Sequence, residues 1–285
     1  MKALCGLLGI SRQGYYKHNY KVSEFSVLAS SIVIYCKFIR QSDHLPKAGC
    51  RELYELCQAY FKDKFTIGRD RFYAILRANQ LMLKRKRCRP RTTLTCPNYR
   101  LYPDLLNTAP KYVPTDNGQM MVSDITYVYT AEGFAYLSLV TDAYSRYIVG
   151  FKLYRSLETA GPLKALNEAL DTYNIFNISI KGMIHHSDRG VQYASKEYTD
   201  TLLSNGIRIS MTQTGDPLHN ALAERMNNTL KNGWLFNEGN LTFEQAEEAI
   251  AKAIKMYNEA RPHKALDMRT PLEIFGGSAR NPLIA

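Results

Sequence analysis

The sequence has no closely spaced cysteine pair, no long apolar run and, over its first hundred residues, few acids. Six cysteines stand at positions 5, 36, 50, 57, 88 and 96; none forms a C-x-x-C and none lies beyond residue 96. That excludes a disulfide scaffold and suits buried, reduced thiols. Cys50, Cys57 and His44 lack the closely spaced ligand pairs that a structural zinc site brings. No stretch approaches the roughly 18 apolar residues of a membrane span, and Met1-Lys2 opens onto a short mixed segment that reaches Ser11-Arg12 without a cleavage site. The expectation is a soluble, cytoplasmic protein with no membrane partner. A hydrophobic share of 45% with 22% charged residues is globular and excludes disordered and collagen-like classes.

The shortage of acid is local. Residues 1–100 carry 20 Lys+Arg against 6 Asp+Glu, a net of +14, and residues 101–285 carry 17 against 20, a net of −3, which together give the +11 of the whole chain. A basic front attached to a near-neutral body suits a polyanion-binding module joined to something that acts on the polyanion. The charge is densest at Lys84, Arg85, Lys86, Arg87, Arg89 and Arg91, a run that neutralises phosphates at little structural cost. Pro90, Pro97, Pro103, Pro110 and Pro114 then keep the chain largely extended. The boundaries drawn from this are a helical, helix-turn-helix-like DNA-binding domain over 1–85, a basic proline-containing linker over 86–118, and a catalytic core with a C-terminal helical segment over 119–285.

In the front domain Ser11 is expected to cap a short turn through Tyr15-Tyr16. Longer helices are expected over 23–41 and 50–60, and a fourth is expected to start at Thr66 with Phe72, Ile75 and Leu76 on one face. Arg69, Arg71 and Arg77 interleave with Tyr73 there, which suits a helix facing DNA. After Gln119 the pattern turns to period two. Strands are expected over 122–129, 134–142 and 147–154 as an antiparallel meander, followed by a helix over 158–173 and a strand over 182–185. A helix capped by Ser195, a strand over 207–211 and a helix over 221–230 come next. Thr242 and Gln245 read as a capping box opening a last long helix to about Asn258. The layout is α/β with a mixed five-stranded sheet and flanking helices.

Three acids fall where chemistry is expected. Asp124 lies inside an apolar strand, where an unpaired carboxylate is costly unless something cationic compensates it. Asp188 ends the fourth strand, and Glu224 lies on the helix after the fifth. Carboxylates without neighbouring His or Cys ligands suit hard cations such as Mg²⁺ or Mn²⁺, and two such ions clamp the attacking and leaving oxygens of a phosphodiester. At 3.6 residues per turn Asn220 and Lys231 share the face of Glu224, so both are candidates to hold the DNA backbone.

Val122-Ser-Asp124-Ile-Thr-Tyr127, His186-Ser-Asp188-Arg-Gly190-Val-Gln-Tyr193 and Asn220-Ala-Leu-Ala-Glu224 place 63 residues between the two Asp and 35 between Asp188 and Glu224. This resembles the Asp-Asp-35-Glu signature of transposases and retroviral integrases, and more narrowly the second-reading-frame protein of the IS-three (insertion sequence three) family. Tyr257-Asn258, Arg261-Pro262-His263, Leu266 and Thr270-Pro271 match that family's C-terminal pattern, and Gly49-Cys-Arg51 to Leu83 resembles its helical N-terminal module.

The resemblance implies a ribonuclease-H-like catalytic core in which Asp124, Asp188 and Glu224 bind two Mg²⁺ or Mn²⁺ ions, with DNA cleavage and strand transfer at the ends of a mobile element. Lys231 matches the basic residue that follows the family's Glu by two turns, and Arg189 lies within the second motif as a further DNA contact. Double-stranded DNA, further copies of the chain and an upstream-frame fusion are the partners it implies. Met121 stands where many relatives carry Trp, and His219 where they carry Asp; neither touches the triad. A non-catalytic DNA-binding repressor would bind without metal and never nick, and a ribonuclease-H-type nuclease would prefer RNA·DNA hybrids.

Overall fold

The computed structural model describes Cys5, Gly9 and residues 11–41, 45–83, 102–106, 112–212, 221–233 and 241–277. The chain divides into two compact units, one within residues 1–85 and one within 86–283.

The first unit is helical. Helix α1 (Arg12–Gln41) runs unbroken for 30 residues, where the sequence suggested a turn and a separate helix. No Gly or Pro interrupts residues 15–41, so nothing stops propagation once Ser11 Oγ has accepted the Gly14 N–H at 3.0 Å. The most apolar 18 residues of α1 average a hydropathy of 1.5, enough by length and composition to cross a membrane, which the search for uninterrupted apolar runs did not register. Here α1 supplies the core of its unit: Ile32, Tyr35, Cys36 and Ile39 are buried together with Leu53, Leu56 and Cys57 of α2 (Cys50–Phe61) and Phe72, Ile75 and Leu76 of α3 (Arg69–Ala78).

Helix α3 starts after Gly68, whose extended backbone leads into it, and not at Thr66. On this helix Arg69 pairs with Asp70 at 3.2 Å and Arg71 lies 5.6 Å from the centre of the Phe25 ring. Arg40 ties the unit's loops by donating to the carbonyls of Ala48 and Leu81. Cys36 and Cys57 are free thiols with sulfurs 3.7 Å apart, while Cys50 Sγ lies 3.4 Å from Met82 Sδ. Cys50 and Cys57 thus have different partners, and His44 lies outside the described residues.

The second unit is a three-layer α/β sandwich. Strands β1 (Met120–Thr130), β2 (Gly133–Asp142) and β3 (Ile148–Tyr154) form the antiparallel meander, with Thr130 opposite Gly133 across a two-residue turn. Helix α4 (Ala160–Ile175) leads to β4 (Ile184–Ser187), then α5 (Lys196–Ser204) and β5 (Arg208–Met211). The sheet order is β3-β2-β1-β4-β5, with β4 parallel to both its neighbours. Strand β4 sits two residues later than the sequence suggested because Gly182 adopts a φ of +77° in the preceding turn, and because His186 and Ser187, which count as polar, are buried strand residues.

Helices α4 and α5 cover one face of the sheet through Ala165, Leu166, Ala169, Tyr198 and Leu202 against Met121, Val140 and Val149. The other face carries α6 (Ala221–Gly233) and α7 (Phe243–Ala260), whose Met226, Leu230, Ile250 and Ile254 pack on Val128, Leu137, Leu139 and Leu153. The expected Thr242–Gln245 capping box opens α7. A short α8 (Pro271–Phe275) completes the described chain and buries Phe275 beside Tyr147 and Tyr173. Gly150 allows α4 to sit close to β3: a Cβ there would meet Ala165 O at 2.1 Å and Ala169 N at 2.7 Å.

Candidate metal-dependent active site

Register brings the two strand acids together. In the parallel β1–β4 pair Val122 lies opposite His186. Two residues further along each strand, on the same side because strand side chains alternate, come Asp124 and Asp188. Beyond Val122 strand β1 has no further pairing with β4, and on this side of the sheet α6 packs on β1. Residues 122–128 thus pass from a paired edge to one covered by a helix.

Helix α6 brings the third acid, Glu224, in its first turn. One turn later Asn227 donates from Nδ2 to Asp124 Oδ2 at 2.6 Å, and a further turn on, half-buried Lys231 has its ammonium stabilised by the charge of Asp124 while burial lowers its pKa. Of the row expected from the sequence, Asn220, Glu224 and Lys231 on one face, the described members Glu224 and Lys231 both interact with Asp124. Asn227, between them, escaped the sequence reading, although its positions three after Glu224 and four before Lys231 were the available signal. Asn220 and the basic run at Lys84, Arg85, Lys86, Arg87, Arg89 and Arg91 lie outside the described residues.

The electrostatics are those of a site short of positive charge. Asp124 keeps a path to solvent, yet dense surrounding protein together with the charges of Asp188 and Glu224 pushes its pKa up to about 7, against the opposing hydrogen bonds from Asn227 and the Ile125 N–H. Asp188 is likewise raised, first by burial and then by Glu224, while the Gly190 N–H donates to its Oδ1 at 3.0 Å and works the other way. Two buried polar atoms beside these acids have no hydrogen-bond partner among the described residues: Asn227 Oδ1 and the Tyr193 hydroxyl, whose pKa is raised by burial and further by the charges of Asp124 and Asp188. Clustered carboxylates raised by mutual repulsion and burial, beside unmatched polar atoms, fit a hydrated divalent cation, which favours their charged forms and carries water for the remaining groups. Among the described residues no group of three or more His, Cys, Asp or Glu side chains is placed close enough together to hold a metal ion; the three acids share an electrostatic field.

Behind the acids the protein is rigid and neutral. His185 is fully buried, with Nε2 2.9 Å from Ser123 Oγ and 3.0 Å from the Tyr198 hydroxyl, and burial followed by the neighbouring His186 lowers its pKa to about 3. It stays uncharged and braces Ser123, the residue before Asp124. His186 Nδ1 pairs with Ser210 Oγ at 2.9 Å, which fixes β4 against β5. Arg189, named from the sequence as a DNA contact, is half-buried and donates from Nε to Thr212 O at 2.6 Å, tying the loop after Asp188 to the end of β5.

Comparison with known proteins identifies the family. Two family models, both described as integrase core domain, match residues 114–217 and 205–271. The uncharacterized 31 kDa protein of insertion element IS600 from Shigella sonnei is 32% identical over 273 residues, covering 94% of this chain and 96% of that protein. The transposase for insertion sequence element IS629 from Shigella sonnei is 34% identical over 163 residues, 57% of this chain and 53% of that protein. The transposase for insertion sequence element IS904 from Lactococcus lactis is 33% identical over 171 residues, 59% and 65% of the two chains. Among solved structures, the HTLV-2 integrase catalytic core domain aligns with a TM-score of 0.45 at 18% identity, covering 57% of this chain and 99% of that one. With a relative aligned over almost its entire length and integrase core models spanning the sheet and its acids, the chain belongs to the insertion-sequence transposases built on a ribonuclease-H-like integrase core.

Proposed function

We propose that this transposase cuts and joins DNA strands at the ends of its element through Asp124, Asp188 and Glu224. The observation that carries the reading is the shared field of the three acids: Asp124, on the strand, responds to both Asp188 and Glu224, which reach it from separate elements. Asp124 and Asp188 would hold one Mg²⁺ or Mn²⁺ ion, and Asp124 with Glu224 would hold a second. Such a pair supplies Lewis-acid charge to the entering and leaving oxygens of an in-line displacement. Water attacks the scissile phosphorus and the DNA 3′-oxygen departs as a 3′-hydroxyl, leaving a 5′-phosphate; in the second step that 3′-hydroxyl attacks a target phosphodiester and the target strand's own 3′-oxygen departs. No covalent protein intermediate is required, so no Ser or Tyr nucleophile is assigned.

Lys231, beside Asp124, places a cation where a phosphate enters, and Asn220, Arg189 and the run from Lys84 to Arg91 extend that contact along the backbone, positioning DNA without reading its sequence. Acting on two element ends calls for at least two copies of the chain, and a fusion with an upstream frame is a further partner. The site of action is the cytoplasmic nucleoid.

The test is cleavage of labelled element ends with Mg²⁺, mapped at nucleotide resolution. Asp124→Asn, Asp188→Asn and Glu224→Gln should each lower cleavage by at least about a thousandfold, in the range seen for removal of core catalytic groups, while gel-shift binding of the same DNA persists. Near-wild-type cleavage by any of the three with Mg²⁺ sinks the assignment. Nicking that persists in EDTA would sink the metal.

A further inference from the structure

We infer that Asn227 is a positioning residue for the divalent-cation site, and this rests on the triad reading above. Asn227 is 5% exposed and sits on α6 between Glu224 and Lys231, so the helix that delivers the third acid also delivers this amide. Its two polar atoms have different environments. Nδ2 donates to Asp124 Oδ2 at 2.6 Å, a short contact of the charge-assisted kind. Oδ1 is buried and has no hydrogen-bond partner among the described residues.

An amide that served only to pack α6 on β1 would be expected to have both ends satisfied, because an unmatched buried acceptor costs on the order of 1–3 kcal/mol. The half-satisfied state makes sense if the missing partner is a water of hydration. A Mg²⁺ ion sheds its waters reluctantly and is held by only a few carboxylate oxygens. Its remaining waters need acceptors, and Asn227 Oδ1 is an acceptor fixed beside Asp124.

The Nδ2 contact does a second job. Asp124 is the one acid shared by both proposed ions, so each of its oxygens must face the correct way. Asp124 Oδ1 accepts the Ile125 N–H at 3.0 Å and Oδ2 accepts Asn227, which sets the plane of the carboxylate from both sides. A residue that holds a ligand's orientation from outside the coordination sphere typically changes metal affinity by about 10- to 100-fold when removed. An Asn can do this where an Asp or Glu could not: it donates to a carboxylate without adding another negative charge to a site that already repels its own.

The experiment compares the full chain, without DNA, as wild type, Asn227→Leu, Asn227→Ala and Asp124→Asn. Mn²⁺ binding is read from the electron paramagnetic resonance signal of the free ion, and cleavage is then measured as a function of Mg²⁺ concentration. Leu keeps the volume and Ala the helix, so loss of fold in one leaves the other to be read, with circular dichroism as the check. The expected result is Mn²⁺ affinity reduced about 10- to 100-fold in a folded Asn227 variant, with the Mg²⁺ concentration for half-maximal cleavage rising in step and the rate largely recovered at saturating Mg²⁺. A purely structural Asn227 would lower stability without moving the metal midpoint. Wild-type Mn²⁺ affinity in a folded Asn227 variant, with binding lost in Asp124→Asn, overturns this role alone. Undiminished Mn²⁺ binding in Asp124→Asn overturns the triad reading and this role with it.

Discussion

The paired strands β1 and β2 each carry an aspartate, Asp124 opposite Leu139 and Asp142 opposite Met121, and the protein treats the two in opposite ways. Asp142, at the end of β2, is fully buried and accepts five hydrogen bonds: from the N–H groups of Gly118, Tyr144 and Ser145, the Ser145 hydroxyl and the Tyr173 hydroxyl, at 2.7 to 3.1 Å. Asp124, near the middle of β1, accepts two among the described residues and faces two further acids. A carboxylate surrounded by donors is finished and works as a joint between the loop before β1, the end of β2 and α4. One left short of donors, among its own kind, is finished only by a cation from outside. The number and sign of a buried acid's neighbours, more than its burial, separate architecture from chemistry here.

Three substitutions test that contrast. The largest effect belongs to Asp142→Ala, which strands five donors at once; it should cost about 3–5 kcal/mol, seen as a collapse of the urea midpoint and loss of activity only through loss of fold. A midpoint within experimental error of wild type would remove Asp142 from the architecture. Next is Gly150→Ala on β3, whose new methyl would press on the backbone of α4. About 3 kcal/mol of overpacking is expected, with the catalytic acids untouched, so residual activity per folded molecule should stay at the wild-type level.

The smallest effect has the opposite sign. In metal-free protein Asp124→Asn should raise stability at pH 8 by on the order of 2 kcal/mol, a figure discounted for the side chain's access to solvent, even as it abolishes cleavage. The sign follows from the raised pKa. An acid near 3.8 in the unfolded chain and about 7 in the fold contributes stability that is whole below about pH 4, drains away between pH 4 and 7, and is gone above 7. The advantage of Asn over Asp should shrink along the same interval on acidification. A variant no more stable than wild type at pH 8 would mean that Asp124 is better compensated than its neighbours suggest.

Much of the catalytic unit was legible from the residues. Alternating apolar positions marked the meander, the capping box marked α7, and the spacing of three acids pointed to one site. What stayed hidden depended on contacts between distant parts of the chain. Asp142 looks like any strand-end Asp until Gly118 and Tyr173 arrive from 24 residues before and 31 after. Asn227 reads as a solvated helix amide until α6 packs on β1. His185 reads only as the last residue of a short strand, yet Tyr198 and Ser123 enclose it as a neutral brace. In the helical unit the reverse error occurred: local signals at Thr66 and near residue 20 suggested boundaries, and the packing of α1 and α3 overrode them.

The tight link between β1 and β2 has a reach beyond its own size. Thr130 faces Gly133 with only Ala131 and Glu132 between them, and six places back along the strand, about 20 Å at 3.3 Å per residue, stands Asp124. A single extra residue in that link must be absorbed as a bulge or as a slip of one place, and a slip turns Asp124 toward the α4 side of the sheet. A gene copy with that insertion would still encode each of its acids and the unaltered interval from Asp188 to Glu224, and the element carrying it would no longer move.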